Sequence, residues 1–388
     1  ARYVWDACYT AVATANEVIK FVDSQGDDML SQYDAQIGEA LLCRAYAMFT
    51  LANTFCMAYD ETTAASQLGL PYPLQPETKV GVHYERGPLD ELYQKIDWAA
   101  MAALSPNGNV QPLAYINTAS VANIMMTVHA SEWQLINGPF AYGMKYAHGN
   151  RIATTETIKA RGPWGADGGV EAGGMNYVVW SNSSLSKVFI NKIPDIREVD
   201  NATNTFVPYT EYPAFSTDET LMVRAEANIL LGNYAEGLRD INTELSKFHS
   251  AGKQLTLADI TAFYNDNTGV KYYPPHDPTP RKELHTSFTI EPTTQEPLLQ
   301  CVLQLRRLIT LHEGLRMQDI KRYGIKVYRI RLNESQTVEA VTDSLVPGDT
   351  RYAVQLPSDV ISAGLQPNPI SIPGLPNEEY MNQNIKNK

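Results

Sequence analysis

Five side chains in one short stretch, Trp164, Asp167, Asn176, Tyr177 and Trp180, have types suited to recognising a hydroxyl-rich ring. An indole or phenol face covers the apolar C–H groups of such a ring, while a carboxylate or amide bonds the hydroxyls at its rim. The surrounding segment Arg161–Gly174 is rich in glycine, which lets a backbone approach a ligand closely. For any one of these aromatics, filling a gap in an irregular core is an equally open reading.

Signals for catalysis are weak. The seven histidines show no HxxxH spacing, so no zinc-binding helix is expected. Ser184-Leu-Ser-Lys187 fits an S-x-x-K pattern without the companion motifs of penicillin-recognising enzymes. The glycines between 162 and 174 lack the Gly-Lys-Ser/Thr ending of a phosphate-binding loop. Asn265-x-Asn267-x-Gly269 lacks the leading aspartate and closing glutamate of a calcium loop. A pair of carboxylates for glycoside hydrolysis remains open, because only their separation in space matters. No cofactor is expected. Cys8, Cys43, Cys56 and Cys301 have no close spacing, and buried thiols are expected rather than a disulfide or a metal site.

Helices must position whatever the chain binds, and Glu219–Leu245 shows them best. Leu221, Met222, Ala225, Ile229 and Leu230 recur at helical spacing, as do Tyr234, Leu238 and Ile241 after a turn at Gly232-Asn233. Gly232 stands where a helix end needs the left-handed conformation. Ala225, Ala227, Ala235 and Gly237 are small enough to let two antiparallel helices close up. The pattern recurs 94 residues earlier, where Gly138-Pro-Phe-Ala-Tyr-Gly-Met144 matches Gly232-Asn-Tyr-Ala-Glu-Gly-Leu238, with Val128 and Leu135 standing for Met222 and Ile229. Glu39–Ala47 also matches Glu219–Ala227 at five of nine positions, Arg44 answering Arg224. Dispersed helical hairpins of this kind predict a tetratricopeptide-like architecture.

The same periodicity predicts a first helix with Trp5, Cys8, Val12, Ala15, Ile19 and Val22 on one face, and a second over about Asp34–Tyr59. Leu68–Leu74 reads as extended, because residues before proline avoid the helical region. Pro88 opens another helix at a position where its missing N–H costs nothing, and Asn117 caps the helix leading to Gly138. Periodicity fails over about 150–213 and 251–292, and long ordered loops are usually functional. Tyr328, Ile330 and Leu332, then Tyr352, Val354 and Leu356, alternate as two short strands of a small hairpin. The net charge of −12 over 388 residues, with no basic cluster evident in the sequence, argues against a nucleic-acid partner. No apolar run spans a membrane. Ala1 falls inside a helical pattern, so residues upstream of it are expected.

These features resemble the SusD/RagB family of Bacteroidetes cell-surface nutrient-binding lipoproteins. Tyr3–Val22 followed by Glu39–Phe49 is similar to the family's first helical repeat, and Arg224-Ala-Glu-Ala227 to its arginine-alanine-glutamate-alanine repeat. Leu305–Gly324 resembles the late signature, a glutamate-glycine-x-arginine run with an aspartate and a basic-aromatic-glycine end. Gln355-Leu-Pro357 and Gln366-Pro-Asn-Pro369 resemble the family's close. Leu305 and Ile309 depart from it, standing where the family usually carries glutamates. The resemblance implies one all-α SusD-like domain over 1–388, with helical repeats at about 1–60, 88–149, 214–250 and 297–324. It implies a non-enzymatic, lipid-anchored protein on the extracellular face of the outer membrane, its lipid-bearing cysteine upstream of Ala1. Such a protein captures oligosaccharide and passes it to a TonB-dependent, SusC-like transporter. A RagB-like protein taking peptides, an all-α glycoside hydrolase and a cytoplasmic helical-repeat scaffold are the alternatives.

Overall fold

The computed structural model describes residues 1–26, 32–79, 81–104, 124–129, 148–149, 162–165, 178–182, 187–191, 196–200, 202–203, 205–215, 217–248, 254–265, 269–276, 279–310, 314–335 and 337–370. They are mostly helical, as the periodicity predicts, and the chain divides into two compact units, 1–114 with 345–388, and 115–344.

Unit 1 is built on three helices, α1 (Arg2–Asp23), α2 (Asp34–Phe55) and α3 (Leu89–Leu104), with α2 packed against both others. The α1 stripe buries Trp5, Val12, Ala15 and Val22, and α2 answers with Ala45, Met48, Leu51, Ala52 and Phe55. α2 stops at Phe55, four residues short of the expected end, where Cys56 turns extended. The last carbonyls of a helix lack intrahelical donors, and here the far end of the chain supplies them. Val354 N–H donates to Thr54 O at 2.9 Å and Asn368 Nδ2 to Phe55 O at 2.9 Å. Asn368 also accepts from Arg86 at 2.8 Å, and Leu356 and Leu365 join the core beneath. The segment after Leu68 carries no regular secondary structure as far as Pro76, in keeping with its prolines.

Unit 2 contains the hairpin that the sequence shows most clearly. α4 (Thr217–Leu230) and α5 (Tyr234–Phe248) flank Gly232, whose φ is +80°. Asn233 N–H reaches back to Asn228 O at 2.8 Å and Gly232 N–H to Ile229 O at 3.0 Å, closing the helix end as a left-handed residue permits. A Cβ at Gly237 would stand 2.6 Å from Ile229 Cγ1, so the small residue is what allows this helix contact. Arg224 bonds Asp240 through both oxygens at 2.7 and 2.8 Å, tying the two helices together. Its counterpart Arg44 ties backward instead, donating to Asn16 on α1 at 2.8 Å. α6 (Leu257–Phe263) interrupts the stretch expected to be irregular, opened by a capping box between Thr256 and Asp259. α7 (Gln295–Ile309) is buried on nearly every face, and α8 (Arg316–Arg322) follows it.

Three expectations are corrected. Ile124–His129, placed in a helical repeat by its likeness to α4, is strand β1, paired antiparallel with β6 (Thr205–Phe215). β6 also pairs β5 (Ile196–Asp200), and a second sheet orders β2 (His148–Gly149), β4 (Lys187–Asn191) and β3 (Val178–Asn182). Valine, threonine and tyrosine favour this pleated arrangement, but Pro208 and Pro213 disguise β6 as loop. A register shift beside Met125 accompanies Pro213. The accessory hairpin forms, but β7 (Val327–Leu332) pairs with β8 (Val338–Leu345), not with the alternating run at 352–356, which packs into unit 1. No disulfide joins the cysteines; Cys56 and Cys301 are buried, while Cys43 is exposed on α2. The Gly138 hairpin lies outside the described residues.

The start of α7 shows how local charge fixes an element. Glu291 accepts from the N–H groups of Thr293 at 2.7 Å, Thr294 at 2.8 Å and Gln295 at 3.2 Å, and from the Thr293 hydroxyl. The hydroxyl first, then these amides, lower its pKa from 4.5 to about 2. A depressed carboxyl pKa contributes stability above the unfolded value, lost as pH falls from about 4.5 to about 2. NMR titration of Glu291 is expected to show a midpoint near 2. Thr293→Val should raise that midpoint part of the way back. An unperturbed midpoint in the native protein would refute the cap.

Candidate functional site

Of the five side chains singled out from sequence, Trp164 is the one with a described environment. It is 4% exposed and packs in the core of unit 2 with Met222, Ile229 and Leu299, its ring pressed on Gly162. A buried indole has no open face for a ring-shaped ligand, so here it fills the core. Trp180 is placed by its backbone in β3, opposite Phe189. Asp167, Asn176 and Tyr177 lie outside the described residues.

Among the described residues, one concavity joins aromatic and proline side chains to hydrogen-bonding ones, and it belongs to unit 1. It is a cleft of about 510 Å³, within the ordinary size range of small-molecule sites. One wall is α1, where Trp5, Tyr9, Ala13 and Asn16 follow one another at intervals of four and three along one face. A second part of the lining is the segment carrying Pro71, Pro73 and Pro76, together with Val82, His83 and Tyr84. Asp359 and Val360, on the short helix α9 (Ser358–Ser362), close the third side.

Part-buried bonds hold these walls in place. Tyr9 Oη donates to Pro71 O at 2.8 Å and Asn16 Nδ2 to Pro73 O at 3.0 Å. Asn16 Oδ1 is occupied by Arg44. These two polar groups therefore brace the proline segment against α1. Trp5 is wedged between Tyr9, 4.8 Å between centroids, and Phe55, at 5.2 Å and near-perpendicular. Burial pushes the Tyr9 phenol well above its usual range.

The groups left facing the cleft are of two kinds. Tyr84, half-buried, and the prolines offer apolar surface. Glu17, Gln75, Glu77 and His83, all exposed, offer hydrogen bonds at the rim. Tyr84 Oη donates to Glu77 Oε1 at 2.7 Å, which fixes the ring's orientation. Burial first, then this carboxylate, raises the Tyr84 pKa. Asp359 pairs with Arg2, whose hydrogen bond keeps the carboxyl pKa below its ordinary value. Three carboxylates and an aromatic–proline wall suit a neutral, hydroxylated ligand with apolar faces and disfavour an anion.

Sequence reasoning placed Trp5 on a core-facing stripe and the proline segment as extended, without joining them. A cue was present: Pro71, Pro73 and Pro76 stand close together with Tyr72 and Tyr84, an unusual density of rigid apolar surface. Asp359 carried no such cue, being 282 positions from Glu77.

Residues 2–122 match the model of a family described as SusD-like_3, "Starch-binding associating with outer membrane". No curated protein matches the chain. Among solved structures, a SusD superfamily protein from Bacteroides thetaiotaomicron VPI-5482 is similar at 16% identity and a TM-score of 0.53, covering 94% of this chain and 85% of that one. A protein proposed to bind sugar, from Bacteroides vulgatus ATCC 8482, is similar at 17% identity and a TM-score of 0.50, covering 94% and 84%. The resemblance to the SusD family drawn from the sequence is borne out by the family match and the shared fold. Leu305 and Ile309, where the chain departs from the family's glutamates, are fully buried in the core of unit 2.

Proposed function

We propose that the protein is a non-catalytic glycan-binding protein of the outer-membrane surface that takes a neutral oligosaccharide in the cleft of unit 1. The observation that carries this reading is the pairing of a rigid aromatic–proline wall with a rim of exposed hydrogen-bonding side chains, in the region matched by a starch-binding family. Tyr84 is the proposed stacking platform; Glu17, Gln75, Glu77 and His83 are the proposed hydroxyl partners. Asp167, Asn176, Tyr177 and Trp180 are proposed as a further set of contacts. The chain acts as one SusD-like domain, lipid-anchored by a segment upstream, and hands its cargo to a SusC-like TonB-dependent transporter.

Calorimetry against neutral oligosaccharides tests the reading. Loss of one stacking contact is expected to weaken binding about tenfold to a hundredfold in Tyr84→Ala, with little change in melting temperature. Intact affinity in a folded Tyr84→Ala protein, with loss in Trp180→Ala, would move the site to unit 2. Recovery of the glycan unchanged after long incubation is expected. Shortened products from pure protein would establish a hydrolase instead. Binding of peptides, with no glycan bound, would favour the RagB-like reading.

A further inference from the structure

The cleft of unit 1 draws much of its lining from one loop. Pro71, Pro73, Gln75, Glu77, His83 and Tyr84 all lie between Leu68 and Pro88. The two ends of that loop meet at a narrow neck. Leu68 and Pro88 form an antiparallel bridge, Gly69 N–H donates to Gly87 O at 2.7 Å, and Leu89 N–H donates to Gln67 O at 2.9 Å. Beyond the neck, α1 holds the loop through the carbonyls of Pro71 and Pro73. A different part of the lining, Ala363 and Leu365, comes from the chain that leaves α9.

Arg86, at the neck, joins the loop to that C-terminal chain. Its Nε donates to Gly69 O at 2.6 Å and its Nη2 to Leu68 O at 3.2 Å. Its Nη1 donates to Gln366 O at 3.1 Å and to Asn368 Oδ1 at 2.8 Å. One guanidinium thus grips the base of the loop and a segment 280 positions away. All four acceptors are neutral oxygens, to which a charged donor bonds more strongly than a neutral one. The far end of this grip is itself fixed. Asn368 Nδ2 donates to Phe55 O at 2.9 Å and to Val354 O at 2.8 Å, and Asn368 N–H donates to Gln355 Oε1 at 2.9 Å. Arginine suits the task because its planar fork carries five donors, whereas lysine offers one ammonium on a flexible stem.

We infer that Arg86 is a positioning residue for the cleft. It sets the loop carrying Tyr84 against Ala363 and Leu365, so that the ring and the rim side chains meet one ligand together. The inference rests on the reading of this cleft as a glycan site. Arg86 does not line the cleft, so it acts through the loop rather than by touching the ligand. The same arrangement gives Gln366-Pro-Asn-Pro369 a task, since Gln366 and Asn368 present the two oxygens that Arg86 grips. The prolines on either side of Asn368 restrict the backbone that carries them.

Two measurements on the full chain test this role. The first needs no ligand. Amide hydrogen exchange at Gly69 and Leu89 is expected to quicken about tenfold in Arg86→Met and less in Arg86→Lys, with exchange within α1 and α2 unchanged. The second is calorimetry with maltoheptaose as a neutral probe, in which Arg86→Met should weaken binding about tenfold. If the arginine works by placing the Tyr84 ring, its loss matters little once that ring is gone. Tyr84→Ala combined with Arg86→Met should therefore bind within about threefold of Tyr84→Ala alone. Losses that multiply in full would make Arg86 independent of the ring and overturn the inference. Unchanged exchange at Gly69 and Leu89 would overturn it as well, whatever binds. So would quickening spread equally over α1 and α2 in both variants, which marks a general loss of stability. A native chain that binds no neutral glycan, with exchange quickened only at the neck, would refute the glycan reading and leave the hold of Arg86 on the loop standing.

Discussion

Replacing Gly324 by alanine is expected to destabilise the protein by about 2–5 kcal/mol, combining a left-handed backbone with a steric overlap. Gly324 has φ +56°, and a Cβ there would stand 2.3 Å from His285 O and 3.0 Å from His285 Cβ. Backbone cannot swing aside as a long side chain can. This contact is also a pairing, with His285 N–H donating to Tyr323 O at 2.7 Å and His285 Nδ1 lying 3.1 Å from Gly324 O. Gly232 provides the comparison, since its φ is +80° with nothing within 4 Å of an added Cβ. Alanine at 232 should cost only the conformational part, about 1–2 kcal/mol. Chemical denaturation of both variants measures the difference. Equal losses would mean that the approach of His285 is not a constraint.

Replacing Arg306 by leucine should cost about 3–5 kcal/mol at neutral pH, because it strands the buried carboxylate of Asp319 and takes a partner from half-buried Glu219. Arg306 is 6% exposed; its Nη2 bonds Glu219 at 3.1 Å, and its Nε lies 3.2 Å from Asp319 as an ion pair without hydrogen-bond alignment. Arg316 provides Asp319 with a second cation at 3.3 Å. Burial nevertheless prevails over both arginines and raises the Asp319 pKa above its ordinary value. A raised carboxyl pKa means the native state holds its proton more tightly than the unfolded chain. Its effect on stability therefore worsens as pH rises from the ordinary value through the raised one. Without Arg306 this penalty should deepen, so the variant's deficit should shrink in acid. Arg306→Leu with Asp319→Leu should recover much of the loss, since packed apolar residues replace buried ion pairs at little cost. A deficit independent of pH, with no recovery in the double variant, would assign the loss to packing alone.

Legibility in the sequence followed the range of the interactions. The turn at Gly232 was readable because helix period and left-handed glycine are both local. The resemblance of Leu305–Gly324 to a family signature was readable because Asp319, Tyr323 and Gly324 hold their places within one contiguous run. The capping box at Thr256 was equally local and could have exposed α6. β1 was misread because Val128 fits a helical stripe and a strand face alike; its partner, β6, begins 76 residues later. Trp164 sits among glycines, a setting that fits a platform and a core filler alike, and Gly162 makes room for its ring within the core. The cleft combines Tyr9, Tyr84 and Asp359, whose proximity rests on long-range closure that no local pattern encodes.

That closure also dictates an order of events during synthesis. Phe55 waits for the amide of Asn368, and the core around Met48 and Leu51 waits for Leu356 and Leu365. From Phe55 to Leu356 is 301 positions, roughly 15–60 s of elongation at ribosomal speed. Throughout that interval the apolar faces of α1 and α2 have been made but their last partners have not. Unit 2, drawn from one continuous stretch, has no such dependence and can finish first. α1 and α2 therefore emerge before unit 2 yet wait longer for their partners, and an unfinished chain presents Trp5, Val12 and Phe55 to whatever holds it in the meantime.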